Sequence, residues 1–185
     1  TMLLHDIEKP GTKTIGKDGQ DHFYGHNEKG AQTAKKILRR LKFDNNTLDT
    51  IEHLIKWHDY RFELTAAGIR RAMSKIGKDY MELLFEVMRA DTMAKNPELI
   101  DEMSKKLNEA KKLYKEIIRQ GECVSLKELN IGGNDLIALG LKPGRKIGEI
   151  LNRLLTEVIE KPELNNHEIL LEMARQMISN EFDED

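Results

Sequence analysis

From Asn27 onward, apolar and polar positions alternate with a helical period. Ala31, Ala34, Ile37, Leu38 and Leu41 fall on one face, and Lys35, Lys36, Arg39, Arg40 and Lys42 form the polar remainder. That basic run, Lys35 to Lys42, reads as a solvated helix face, with phosphate contact through the same residues as the alternative. A second helix is expected after Asp44-Asn45-Asn46, any of which is a suitable cap, and it carries Leu48, Ile51, Ile55 and, further on, His58. Thr65 is placed to cap a third helix with Ile69, Ala72, Met73 and Ile76, which Gly77 ends. Asp79 to Ala94 is the most apolar segment and is expected to be the central helix. Asn96-Pro97 restarts a helix to about Gln120, with a narrow stripe of Ile100, Met103, Leu107, Ala110, Tyr114 and Ile117.

The segments that break this rhythm are loops. Lys9 to His22 is rich in Gly, Pro, Lys and Asp and reads as a loop. Gly121 closes the long helix and marks a domain boundary, giving 1–120 and 121–185. Asn130 to Gly148 carries Gly132, Gly133, Gly140, Pro143, Gly144 and Gly148, so short turns interrupt it. Ile150, Leu151, Leu154, Leu155, Val158 and Ile159 then form another amphipathic helix, and Asn165-Asn166 precede a last one, Glu168 to about Ser179. No strand set emerges. The expected fold class is all-α, a helical bundle followed by a smaller helical module.

Composition narrows the classes. Apolar residues make up 39%, charged residues 34% and aromatics only 5%, a mix that favours helices over sheets. A formal net charge of −2 argues against a generic nucleic-acid coat while leaving room for a local basic face. The single cysteine, Cys123, excludes an internal disulfide and reads as a small buried filler. No apolar run is long enough to span a bilayer, and no signal-peptide pattern opens the chain. No membrane partner is expected, and the expected location is cytoplasmic. Trp57 reads as core, and His22, His53 and His167 as exposed polar residues.

The chemistry-bearing residues gather in the first half. LLHDIEKP at Leu3 to Pro10 pairs an imidazole with a hard carboxylate at His5 and Asp6. His26 stands in FYGHNEKGA just before a helix, and His58 ends the next one in HLIKWHDYR. Asp91, in FEVMRADTMAKN, is a carboxylate inside an apolar helix, where it needs a compensating partner. A mixed imidazole and carboxylate set suits a divalent ion such as Mn, Fe, Co, Ni, Zn or Mg, not a thiolate zinc site.

LLHDIEKP, FYGH, LIKWH and the later RAD resemble the HD superfamily. IRRAMSKIG before MELLFEVMRAD, and ELNIGGNDLIALGLKPGRKIGEILNRLLTEVIEKPELNN later, are similar to the HD domain and C-terminal RNA-contacting region of tRNA nucleotidyltransferases. The resemblance implies that His5, Asp6, His26, His58 and Asp91 hold metal, with Asp6 and His26 also in catalysis. It implies a metal-dependent phosphohydrolase acting on nucleotide or RNA phosphate esters, with Arg70 and Arg71 as phosphate holders. The alternative is a non-catalytic tRNA-binding fragment with a degenerate site. Gly133, Asp135, Lys142, Gly144, Arg145 and Lys146 are the implied RNA contacts. Three departures stand out: an upstream metal histidine has no counterpart, Glu8 replaces a glycine beside the site, and the nucleotide-adding head is not represented. The chain alone is therefore not expected to add nucleotides, and a separate nucleotidyltransferase head is a candidate partner.

Overall fold

The computed structural model describes residues 1–17, 19–95 and 97–182, with side chains through 179. In chain order its elements are α1 (Lys9–Thr12), β1 (Thr14–Ile15), β2 (Asp21–His22), α2 (His26–Arg40), α3 (Asn45–Trp57), α4 (Ala66–Ile76), α5 (Met81–Met93) and α6 (Pro97–Gln120). Then come α7 (Gly133–Ala138), α8 (Arg145–Glu160) and α9 (His167–Phe182). Short 3-10 turns precede α5, α7 and α9. The fold is all-α apart from one small hairpin.

That hairpin corrects the expectation of a strand-free loop from Lys9 to His22. Thr14 pairs with His22 and Ile15 with Asp21, antiparallel. Gly19, at φ 75°, lets the chain reverse so that Gly16 N–H reaches the Gln20 carbonyl at 2.8 Å. Lys13 and Asp21 pair across the ladder at 2.7 Å.

The helix ends follow local chemistry. Asp44, first of the three candidate caps, accepts from Thr47 N–H at 2.9 Å. Thr65 Oγ1 accepts from Gly68 N–H at 3.0 Å and opens α4. Gly77 and Gly121, at φ 97° and 65°, follow the ends of α4 and α6. At the end of α2 the left-handed residue is Lys42, φ 60°; the Lys42 and Phe43 amides fold back onto the Arg39 and Leu38 carbonyls. Asn166 Oδ1 caps α9 by accepting from Glu168 and Ile169 N–H. Asn96, expected to precede α6, lies outside the described residues.

Contacts divide the chain into two compact units. The first comprises Thr1–Glu63 and Ile76–Lys111, the second Leu64–Lys75 and Lys112–Asp185. This differs from a cut at Gly121: α6 contributes to both units, and most of α4 belongs with the second.

In the first unit α2 packs along α3, with Ala31, Ala34 and Ile55 buried together and Leu4 and Ile51 against them. Gly30 matters here. A Cβ on it would lie 3.4 Å from the His5 carbonyl oxygen and 3.6 Å from Ile55, so its absence lets the N-terminal segment lie on α2. Met81, Leu84 and Phe85 bury one face of α5; a fully buried side chain of this size contributes about 1.5–3 kcal/mol. The second unit has its own core of Cys123, Leu136, Ile150, Leu154, Val158 and Leu170 among others. Trp57 is only half-buried, and the Lys56 ammonium sits over its ring, 5.6 Å from the centre. None of the helices among the described residues is long and apolar enough to cross a membrane.

Candidate metal centre

His5 and Asp6 lie on the turn that leads into α1, His26 is the first residue of α2, His58 caps α3, and Asp91 projects from α5. All five belong to the first unit. Gly25, at φ 74°, turns the chain into α2 and aims His26 inward. Each imidazole is oriented by the same local bond. Nδ1 of His5, His26 and His58 lies 2.7, 2.8 and 2.6 Å from the carbonyl oxygens of Met2, Phe23 and Ile55, in each case three residues back. A carbonyl only accepts, so Nδ1 carries the hydrogen and the Nε2 lone pair is free.

Those Nε2 atoms converge on carboxylates. His5 Nε2 is 3.2 Å from Asp6 Oδ2 and 3.3 Å from Asp91 Oδ1. His26 Nε2 and His58 Nε2 each lie 3.5 Å from Asp6 Oδ1. Among the described residues, two groups are buried without a hydrogen-bond partner, His5 Nε2 and Asp6 Oδ1. Ligand atoms about 2.1 Å from a tetrahedral ion stand roughly 3.4 Å from one another. The observed spacings and the two orphaned acceptors therefore fit a cation. Among the described residues, His5, Asp6 and His58 are close enough to share one ion; His26 adjoins them through Asp6 and His58, and Asp91 through His5.

The carboxylates are held from outside. Lys9 Nζ binds Asp6 Oδ2 at 2.5 Å and Lys95 Nζ binds Asp91 Oδ2 at 2.7 Å. Burial would raise the Asp6 pKa, but Lys9 and the neighbouring imidazoles overcome it and hold that carboxyl below its ordinary value. Burial pushes the His58 pKa below its ordinary value, opposed by the Ile55 carbonyl and Asp59 and reinforced by His5 and His26. Lys95 was legible as a partner from its i,i+4 spacing to Asp91.

Glu8 does not enter the cluster as its sequence position suggests. Its Oε1 accepts from Thr33 Oγ1 at 2.7 Å, which pins it to α2. Arg70 and Arg71 belong to the second unit, where both are engaged internally. Arg70, 5% exposed, donates to the Ile159 carbonyl at 2.5 Å, the Glu160 carbonyl at 3.3 Å and Glu122 at 2.6 Å. It closes the carbonyl end of α8. Arg71 pairs with Glu160.

The expected RNA contacts cluster around α7 and the start of α8. Gly133 packs against Ile147, where a Cβ would come within 3.4 Å. The Asp135 carboxylate caps α7 by accepting from Gly132 N–H at 2.8 Å. Lys142, Gly144 and Arg145 are exposed, Lys146 is half-buried, and Arg145 pairs with Glu149 at 2.8 Å. His53, expected at the surface, is half-buried: it contacts the Ile76 carbonyl at 2.6 Å and stacks on Tyr80 at 4.1 Å between ring centres. Both rings line a cavity of about 580 Å³ with Glu28, Gln32, Glu52 and Lys56, apart from the His/Asp cluster.

Residues 26–174 match the family described as tRNA nucleotidyltransferase domain 2. The chain is 28% identical to the A-adding tRNA nucleotidyltransferase of Deinococcus radiodurans over 154 residues, 82% of this chain and 35% of that one. It is 27% identical to the CC-adding tRNA nucleotidyltransferase of Thermus thermophilus over 154 residues, 83% of this chain and 34% of that one. A shorter match of 55 residues, 29% of this chain and 14% of the relative, is 44% identical to the CCA-adding enzyme of Ligilactobacillus salivarius. The chain thus spans about a third of the length of the first two relatives. No solved structure matches it. With more than half of its length matched, the chain belongs to the tRNA nucleotidyltransferase domain 2 family.

Proposed function

We propose that this chain serves a tRNA nucleotidyltransferase function by holding tRNA, with the turn between α7 and α8 as one contact region. The family match over residues 26–174, which takes in residues of both units, carries this reading. Lys142 and Arg145 are exposed beside glycine turns, and such groups hold an RNA duplex through phosphate and ribose without reading sequence. Nucleotide addition is not assigned to these residues. Filter binding of tRNA against a DNA duplex of equal length, over a salt series, tests the reading. Equal affinity for both at every salt concentration would sink it.

A second reading rests on the inward-facing imidazoles. His5, Asp6 and His58 would hold a divalent ion, with His26 and Asp91 adjoining, in the manner of an HD-type phosphohydrolase. His5, Asp6 and His58 would place such an ion where it would supply Lewis-acid chemistry toward a phosphate ester. The chain's own contribution is to fix the Nε2 lone pairs through the three backbone bonds and to restrain Asp6 and Asp91 through Lys9 and Lys95. Release of phosphate from a small ester, compared with that of Asp6→Asn, tests it; equal rates would remove it.

A further inference from the structure

We propose that Lys29, Lys36 and Arg40 on α2 form a second RNA contact, a cationic rail for the sugar–phosphate backbone of a tRNA arm. The inference rests on the tRNA-holding reading and extends it to the first unit. At 100° per residue, Lys29 to Lys36 returns to within about 20° of the same direction, and Lys36 to Arg40 adds about 40°. All three are therefore in one stripe, spread over about 16 Å of helix. All three are exposed, and among the described residues no ion pair or hydrogen bond engages their side chains.

On other helices several cations are paired. Arg89 pairs with Glu86, Lys106 with Glu102, Arg119 with Glu116, and Lys111 with Glu82 and Glu86. Within α2, among the described residues, Lys35 is the cation that is engaged, with Asp49 and Glu52 on α3. α2 otherwise carries Glu28 as its single acidic residue, in a chain whose net charge is −2. The helix dipole accounts for Arg39 and Arg40 in the last turn, because cations are favourable there. It does not account for Lys29, which stands in the first turn where a cation is unfavourable. Nor does it offset the repulsion between Lys36 and Arg40, like charges at i,i+4 along the helix. A phosphate backbone, which presents regularly spaced anions, relieves that repulsion; the extended, unpaired arrangement complements it.

The test is filter binding of tRNA by the full chain across a salt series, with Lys29→Gln/Lys36→Gln/Arg40→Gln compared against wild type. Three lost phosphate contacts should lower affinity at low salt by at least tenfold. They should also reduce the slope of log K against log salt by roughly 2–3, at about 0.7–0.9 per contact. The charge-conserving Lys29→Arg/Lys36→Arg/Arg40→Lys should keep the wild-type slope, which separates contact from an effect on folding. A neutral variant with unchanged slope overturns the rail and leaves tRNA holding intact. A wild type with no affinity for tRNA overturns both. If the neutral variant loses affinity without a change of slope, contact is not through phosphates and the rail is again overturned.

Discussion

His26 and His58 face each other with their Nε2 atoms 3.4 Å apart, and each has given its Nδ1 hydrogen to a carbonyl three residues back. Two lone pairs at that distance repel unless a proton or a cation lies between them. The backbone bonds hold the rings in place against that repulsion. That arrangement suits a cation shared by the inward-facing nitrogens.

Adding a divalent transition metal should raise the melting temperature, and EDTA should return it to its starting value. At a hundredfold excess over Kd the gain is about 2.7 kcal/mol, or roughly 5–10 °C for a chain of this size. Asp6→Asn and His58→Ala should each remove most of the increment. Thermal melts with and without metal decide it, and an increment retained in both variants counts against the site.

Glu8→Gly should leave metal affinity within about twofold of wild type, because the carboxylate is bonded to Thr33. The lost hydrogen bond should cost about 0.5–1.5 kcal/mol. Calorimetric titration tests the first clause; a tenfold change in affinity would place Glu8 in the site after all.

The two adjacent arginines should behave differently. Arg70 and Glu122 are 7% and 14% exposed at their side chains, so Arg70→Ala leaves a buried carboxylate and two carbonyls unmet, at a cost of about 3–5 kcal/mol. Arg71 and Glu160 are 41% and 43% exposed, and Arg71→Ala should cost less than about 1 kcal/mol. Urea unfolding of both variants measures the contrast.

In metal-free protein, stability should fall as pH drops from 7 to 5. Burial lowers the pKa of both His53 and His58 in the folded state, so the unfolded chain takes up protons first. Their contribution is complete above the unfolded pKa of about 6.5 and is lost as pH falls below it toward the lowered folded values. His53→Gln keeps a donor for the Ile76 carbonyl and removes one titration, so its unfolding midpoint should depend less steeply on pH.

Lys42→Gly should stabilise the chain by about 0.5–1 kcal/mol. Lys42 sits at φ 60°, where an L side chain costs about 1–2 kcal/mol; the freedom of glycine in the unfolded state offsets part of that gain. A lower melting temperature would show that Lys42 makes a compensating contact.

Helices were legible wherever periodicity ran long enough to be read. Asp44 and Thr65 cap α3 and α4 from the expected positions, because a cap depends on residues adjacent in sequence. The β1–β2 hairpin was not legible, since two-residue strands offer no alternation to detect. Convergence of His5, His26, His58, Asp6 and Asp91 followed from a resemblance and not from spacing, for the contacts span nearly the whole first unit. The Nδ1 bonds to Met2, Phe23 and Ile55 were invisible for another reason: a carbonyl has no letter in the sequence. His53 was misjudged as exposed because Tyr80, which covers it, is distant along the chain.

Ribosomal synthesis delivers residues 64–75 well before the residues from 112 onward with which they belong. In the interval α4, whose Ile69, Ala72 and Met73 are at most 1% exposed in the finished fold, lacks the partners it has within the second unit. A nascent chain, or a fragment cut at Gly121, therefore carries a sticky apolar helix and a guanidinium parted from Glu122 and Ile159. Such a fragment should need a chaperone or detergent to stay in solution. The complementary piece, 121–185, should lack the wedge that closes the end of α8. Limited proteolysis is thus a poor way to separate the two units.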